Sequence, residues 1–448
     1  MTAFPISEST PISYPGPPPA DADVVVIGGG VIGVCTALYL AQGGHDVVLV
    51  EKGRIAGEQS SRNWGWIRQQ GRDPAELPIM TASIQRWQEL AAQTPLDIGL
   101  RRGGVAYIAA SRRELEGYAS WLPYAEALGL DTRLLDGAET ARLIPGMALP
   151  VPGALVTPSD MRAEPWLAVP ALAGIARRAG ARLVEGCAVR SLDIAAGRIA
   201  GVVTEAGRIR CASVVLAGGA WSSLLLRNHG IVLPQLSVRE TVSATGPLPQ
   251  VYGGAAARGS VAFRRRMDGG YTLSPLGMSE LLIGPDAFRA LPKYLPQLRA
   301  SPLSQTYRAA APAGYPDAWG TARRWEPDDV TPFERMRVLN PAPNRRHLAR
   351  IQRGFARLFP DMPPVRLRTT WAGMIDTMPD VVPVVDHCPQ LPGLTVATGM
   401  SGHGFGIGPE FGRIVAALVT GGVVGHDLSR FRFDRFSDGS RVRLGPPI

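Results

Sequence analysis

The stretch that decides the fold is Asp23-Val24-Val25-Val26-Ile27-Gly28-Gly29-Gly30-Val31-Ile32-Gly33. Four uncharged β-branched residues in a row fit a strand buried on both faces. The glycines after it have the spacing Gly28-x-Gly30-x-x-Gly33. Val31 to Gln42 then has helical character, with Gly33, Ala37 and Ala41 as small residues on one face, and Gly43-Gly44 ends it. Val47 to Val50 is a second buried strand with Glu51 at its tip, 18 residues after Gly33. Together these form one βαβ unit. In such a unit the first glycine permits the tight turn, the second lets backbone reach a pyrophosphate, and the third lets helix and strand pack closely. The helix N-terminus favours phosphate charge, and the acid accepts from ribose hydroxyls. The unit therefore predicts a dinucleotide held by Gly28, Gly30, Val31, Ile32, Gly33, Glu51 and Lys52. The motif alone does not choose between NAD and FAD.

The rest of the chain sets limits on this reading. With 448 residues, 45% hydrophobic and 19% charged, the composition is that of a globular protein. Gly 52 and Pro 40 exclude a coiled coil, and the absence of any short repeat excludes a collagen-like or low-complexity scaffold. Length alone points to about three domains. Val24 to Ala41 is uncharged over 18 residues, close to the length of a membrane span, but its four glycines favour the strand–turn–helix. The first 22 residues are rich in Pro and Ser and read as a disordered tail rather than a signal peptide. Cysteines 35, 187, 211 and 388 form no C-x-x-C pair, so no metal site is expected and a reducing cytoplasm fits. The net charge is +9, carried by arginine, since Lys52 and Lys293 are the only lysines.

Beyond the βαβ unit the pattern predicts helices over Pro78–Ala92, Arg113–Leu128, Trp166–Arg178 and Asn344–Leu358. Short strands follow one another over Ala188–Ile194, Ile199–Glu205 and Arg208–Cys211. Ser213–Leu216 and Leu394–Thr398 look like further buried strands, the latter followed by a glycine loop and a helix from about Pro409 to Thr420. Residues 236–330 read as strands rich in Gly and Pro. One nucleotide-binding sheet thus draws on distant segments, with a second lobe inserted between them.

Three further segments accompany the glycine motif: Gly57-Glu58-Gln59-Ser60-Ser61-Arg62-Asn63-Trp64-Gly65, Val214-Val215-Leu216-Ala217-Gly218-Gly219-Ala220-Trp221, and Thr398-Gly399-Met400-Ser401-Gly402-His403-Gly404-Phe405-Gly406-Ile407-Gly408-Pro409. In this order the four segments resemble the FAD-dependent amine and amino-acid oxidoreductases, among them glycine oxidase, monomeric sarcosine oxidase and D-amino-acid dehydrogenase. The likeness runs from Asp23 to Gly421. GEQSSRNWGW…GRDPAELP, WAGMIDTMPD and SGHGFGIGP resemble bacterial L-amino-acid deaminases in particular. The resemblance implies that Ser60, Ser61, Arg62, Asn63, Trp64 and Gly65 wrap the FAD diphosphate, that Val189 meets the adenine, and that Gly218, Gly219 and Trp221 cross the cofactor's edge. It implies that Gly402, His403, Gly404, Phe405, Gly406 and Ile407 aim a helix N-terminus at the flavin's pyrimidine side, where a helix dipole stabilises developing negative charge.

Departures from the family matter as much. There is no His between Arg54 and Ile79 and no Cys in Trp371–Asp380, so the FAD is expected to be non-covalent. Glycine oxidase and D-amino-acid dehydrogenase place a carboxylate-clamping Arg where this chain has Ile375. A replacement is sought in Phe263-Arg264-Arg265-Arg266-Met267-Asp268-Gly269-Gly270-Tyr271, a hairpin with Asp268-Gly269 in its turn. Arg264, suited to bidentate carboxylate binding, and Tyr271 are the candidates there; the alternative is a solvated basic strand. Gln69 and Gln70 either line the substrate pocket or are ordinary loop polarity. His403 either contacts the cofactor edge or caps the helix. Arg346, Arg350, Arg353 and Arg357 share one helix face, either solvated or docking an anionic electron acceptor or a membrane surface. No nucleic-acid motif accompanies the charge.

The expectation is an α/β fold of two lobes. Residues 23–100, 155–235 and 365–430 form a Rossmann-like FAD-binding domain. Residues 101–154 and 236–364 form a mixed-sheet substrate domain, and 431–448 a C-terminal tail. The expected reaction is oxidation of the C–N bond of an amino acid or related amine to an imine, with oxygen or a quinone as acceptor. The alternatives are a 2-hydroxy-acid dehydrogenase of the same fold and a flavin-binding subunit of a multi-chain opine or amine dehydrogenase.

Overall fold

The computed structural model describes residues 5–148, 150–300 and 305–445. Val24–Ile27 and Val47–Glu51 are strands, and Val31–Gln42 is the helix between them. They lie in a six-stranded sheet whose order is Val384–His387, Leu394–Thr398, Ser213–Leu216, Val24–Ile27, Val47–Glu51, Arg182–Glu185. All neighbours are parallel except the antiparallel edge strand Val384–His387. The strands are continuous apolar runs because both faces are covered. On one face the helix Val31–Gln42 packs against Gly404–Thr420 and Pro165–Arg178. On the other lies a three-stranded meander, Val189–Ala195, Arg198–Thr204 and Gly207–Arg210.

A ten-stranded sheet stands beside it. Leu236–Thr245 is its axis, and Leu367–Thr377 pairs with it along almost its whole length. The hairpin Val261–Arg265 and Tyr271–Pro275 pairs antiparallel, as its Asp-Gly turn predicts. Arg345–Leu358 covers the far face through Ile351, Phe355 and Leu358, which pack on Phe263, Tyr271 and Leu273.

Several sequence expectations give way here. The disordered tail is wrong for residues 5–22, which are built into the molecule; residues 1–4 lie outside the described residues. Ile6 is buried, the Ser13 and Tyr14 amides donate to Glu185, and Asp21 bridges to Arg210. Composition cannot show this, because the partners are far away in sequence. The C-terminal tail is corrected for 431–436. Phe431, Phe433 and Phe436 are buried, and Arg435 forms an ion pair with Asp380; 446–448 lie outside the described residues. The lobe boundaries shift because Gly153–Thr157 and Leu367–Thr377 both belong to the large sheet. The helix expected over Arg113–Leu128 is two, Arg112–Ala119 and Leu122–Ala127. Within the region read as strands, Pro285–Ala300 is a helix despite Pro292 and Pro296. The last helix starts at Gly404, five residues before the expected Pro409.

Candidate functional site

The glycine loop is built as its spacing requires. Gly28 has φ +109, and a Cβ there would run into the Ala217 carbonyl. A Cβ on Gly33 would strike the Gly28 carbonyl oxygen, which is the close helix–strand approach. Glu51 accepts from the amides of Gly29 and Gly53, each at 2.7 Å, and burial raises its carboxyl to about 6. Ser60 Oγ accepts from the Val31 amide at 2.9 Å, tying the second segment to the first turn of the helix. Lys52 Nζ donates to Glu58 at 2.7 Å and sits 4.4 Å from the Trp221 ring; the Trp221 indole also donates to Glu58. Glu58 also accepts from the Leu339 amide, and so ties together three segments that are distant in the sequence.

These residues line a cavity of about 450 Å³ that runs from the glycine loop to the large sheet. From the predicted set, Gly28, Gly30, Val31, Ile32, Glu51, Lys52, Ser60, Arg62, Asn63, Trp64, Val189, Gly218, Gly219, Trp221, Gly402, His403, Gly404 and Phe405 face it. Gly33, Ser61, Gly65, Gly406 and Ile407 do not. Ser61 and Ile407 are buried in packing, and Gly65 turns the chain at φ +75 against Ala163 and Arg264. The Gly406 carbonyl accepts from Ser83 and from the Trp87 indole. Gly408 and Gly412 lie against Val31 and Cys35. The alternating glycines therefore serve helix packing from 406 onward, and only Gly402 and Gly404 present backbone to the cavity. Arg62 keeps its guanidinium for Gly57 O, Asn340 Oδ1, Ala372 O and Ile6 O.

The cradle fits the FAD diphosphate and ribose: no side chain blocks the Gly28–Gly30 turn, and the acid stands at the adjacent strand tip. No Cys lines the cavity among the described residues. Asp376 accepts from the Gly399 amide at 2.7 Å and from Gln235 and Thr398, while its carbonyl takes the Ser401 amide. It fixes the loop that delivers the helix N-terminus at Gly404 to the cavity.

The substrate-side expectations need correction. Arg264 is fully buried and away from the cavity. It pairs with Glu164 at 2.9 Å and donates to Trp64 O and Thr272. Arg264 and Arg266 share one face of the hairpin, and that face looks toward Glu164 and Trp166. Tyr271 is also fully buried, with its hydroxyl donating to Pro249 O and its ring on Phe263 and Phe355. Gln69 is held by Asp160 and Ser159, and Gln70 accepts from Thr157. Period two puts Trp66 and Arg68 on one face and Gln69 on the other; Gln70, of the same parity as Arg68, is held instead by Thr157.

The groups that do face the cavity there are Trp64, Trp66, Tyr107, Arg68 and Arg72. Trp64 and Trp66 meet edge to face at 5.5 Å, and Arg68 lies over Tyr107. Arg72 is 2% exposed, donates through Nε to Arg68 O, and leaves Nη1 without a partner among the described residues. Burial and the neighbouring Arg68 lower it to about 10. Sequence reading missed both arginines, although RQQGRDP carries them on either side of the glutamines. His403 is the residue before the helix, and its Nδ1 meets Glu76 at 2.9 Å. Burial and Arg72 hold the imidazole below the usual range, against the pull of the Glu76 carboxylate it faces. Its role is thus an oriented ring at the cavity edge. Glu240, on Leu236–Thr245, also lines the cavity.

Comparison with known proteins gives the same picture. The glycine oxidase of Geobacillus kaustophilus (strain HTA426) is 26% identical over 92% of this chain and 97% of its own. Human mitochondrial sarcosine dehydrogenase is 31% identical over 59% of this chain, which matches only 30% of that longer protein. L-amino acid deaminase from Proteus myxofaciens, solved in complex with anthranilate, superposes with a TM-score of 0.90 at 28% identity, over 96% of this chain and 97% of that one. The Proteus vulgaris deaminase gives 0.88 at 28% identity, over 95% and 100%. A family model described as FAD dependent oxidoreductase matches residues 23–418, and the chain belongs to that family.

Proposed function

We propose that this enzyme oxidises the C–N bond of an α-amino acid to an imine, which water converts to the 2-oxo acid. One observation carries the choice of substrate. The cavity lining includes two neighbouring guanidinium groups, Arg68 and Arg72, together with Trp64, Trp66 and Tyr107. A buried guanidinium with an unmet N–H favours an anion that completes its hydrogen bonds, and a carboxylate fits it best. The aromatic walls favour an apolar or aromatic side chain.

In this reading the six-stranded lobe holds non-covalent FAD, with Glu51 at the adenosine ribose, Gly28 and Gly30 at the diphosphate, and the Gly404 helix N-terminus at the flavin. FAD bound there would supply a two-electron acceptor for the α-hydrogen leaving as hydride. The ten-stranded sheet closes over the substrate and excludes water, while Arg72 and Arg68 orient its carboxylate. No helix among the described residues is long and apolar enough to cross a membrane. The four cysteines are unpaired and buried, which fits a reducing cytoplasm. Oxygen or a quinone completes the cycle.

Purified protein should be yellow and release FAD on acid precipitation. Anaerobic mixing with L- and D-amino acids, N-methylated amino acids and 2-hydroxy acids should bleach the flavin with amino acids. Bleaching by hydroxy acids alone would overturn the reading.

A further inference from the structure

Among the described residues, two side chains that line the cavity carry a buried polar atom with no hydrogen-bond partner: Arg72 and Glu240. The first has a use in the reading above. The second does not, and its surroundings make it conspicuous. Glu240 sits on Leu236–Thr245, opposite Gly373 of Leu367–Thr377. Strand alternation puts it on the same face as Val242, and both strands turn that face, with Gly373 and Ile375, toward the cavity. It is a carboxyl in an otherwise apolar stripe, beside the Ile375 position where the family's clamp is missing.

No cation among the described residues pairs with it. Oε1 accepts from the Ser279 hydroxyl, and Oε2 has no partner among the described residues. Arg62, which packs beneath Gly373, gives its guanidinium to other carbonyls and to Asn340. Arg239, the preceding residue, pairs with Glu280. Glu280 is held by Arg239, Arg308 and Asn344. Asp376 turns to Gly399, Gln235 and Thr398. A buried acid left without a cation is expensive, and a cationic ligand group removes that penalty.

We propose that Glu240 is the proton acceptor for the ammonium group of the bound amino acid, an inference that rests on the function proposed above. An amino acid arrives as the zwitterion, whose nitrogen has no free electron pair; oxidation of its C–N bond needs the neutral amine. In the step assigned to Glu240 an ammonium N–H bond breaks, its electron pair stays on nitrogen, and the proton forms an O–H bond at Oε2. The step is redox-neutral and needs no further reagent. Burial, with Glu280 adding to it, raises the Glu240 carboxyl to about 7, so the group can take up and return a proton near neutrality.

The test uses the FAD-loaded enzyme and two ligands that cannot be oxidised. 2-Aminoisobutyrate has the ammonium and carboxylate groups but no α-hydrogen, and benzoate has the carboxylate alone. Wild-type affinity for 2-aminoisobutyrate, measured by calorimetry, should strengthen as pH rises through about 7. Glu240→Gln should remove that dependence and weaken binding about tenfold or more at mildly alkaline pH, in line with loss of a charged hydrogen bond. Benzoate affinity should change by less than about threefold, and Glu240→Asp should keep the pH dependence. With a true substrate, Glu240→Gln should lower kcat/KM at neutral pH by about 10²–10³ and recover toward the amine's own pKa. The proposal is overturned if Glu240→Gln keeps the wild-type pH dependence, or if benzoate and 2-aminoisobutyrate weaken together, which marks a structural role. These results are separable from failure of the proposed function, in which no amino acid bleaches the wild-type flavin at all.

Discussion

Arg264 and Arg72 show how differently two buried arginines behave. Arg264 is matched by Glu164, so Arg264→Ala leaves a buried carboxylate alone and should cost about 3–5 kcal/mol of stability. Thermal unfolding of the apoprotein would register this as a fall of several degrees. Arg72→Met should leave the melting temperature nearly unchanged and raise the KM for an amino acid by one to two orders of magnitude, the effect of about 1.5–3 kcal/mol for a charged hydrogen bond. An unchanged KM would remove Arg72 from the substrate site. The sequence made a carboxylate-binding arginine an attractive idea and put it in the wrong strand. Alternation told which residues of the hairpin share a face, but not which face meets the cavity; that depends on Glu164, a hundred residues away. Acids behave in the same position-dependent way. Asp160 and Glu240 are both raised to about 7 by burial. A carboxyl whose folded pKa lies above its unfolded value holds its proton longer in the folded state. Through these two groups the apoprotein should lose stability as pH rises from about 4.5 to about 7, with no further change from them above that. Glu240→Gln should flatten part of this slope in denaturant titrations; a steeper slope would contradict the sign.

At the scale of elements, the helix Gly404–Thr420 does two jobs. Its first residues face the cavity, and its later glycines let it lie directly on Val31–Gln42. A Cβ at Gly412 would meet Cys35 Cβ and backbone. Gly412→Ala should cost about 1–3 kcal/mol, the usual effect of overpacking, and should lower flavin content because the helix moves as a unit. Near-wild-type stability would show that the two helices have room to part. The βαβ unit was legible in full, since its signal lies within thirty residues and each glycine has a local steric reason. The helix Pro285–Ala300 was not, because Pro292 and Pro296 argue against a helix by local rules. The 5–22 segment was hidden for a related reason: its order comes from Glu185, Arg54 and Arg62, not from its own composition.

Across the whole molecule the six-stranded sheet is assembled from distant pieces. Its central strand Val24–Ile27 pairs with Ser213–Leu216, which pairs in turn with Leu394–Thr398. The cavity takes walls from every one of these regions and from the large sheet inserted between them. The order of synthesis is therefore constrained. A nascent chain carrying the glycine loop cannot close the sheet or present the Gly404 helix until residues 394–420 have also left the ribosome. A complete cofactor site therefore waits for that segment, and a chain stalled before residue 394 would expose an unpaired edge of the parallel sheet to its neighbours.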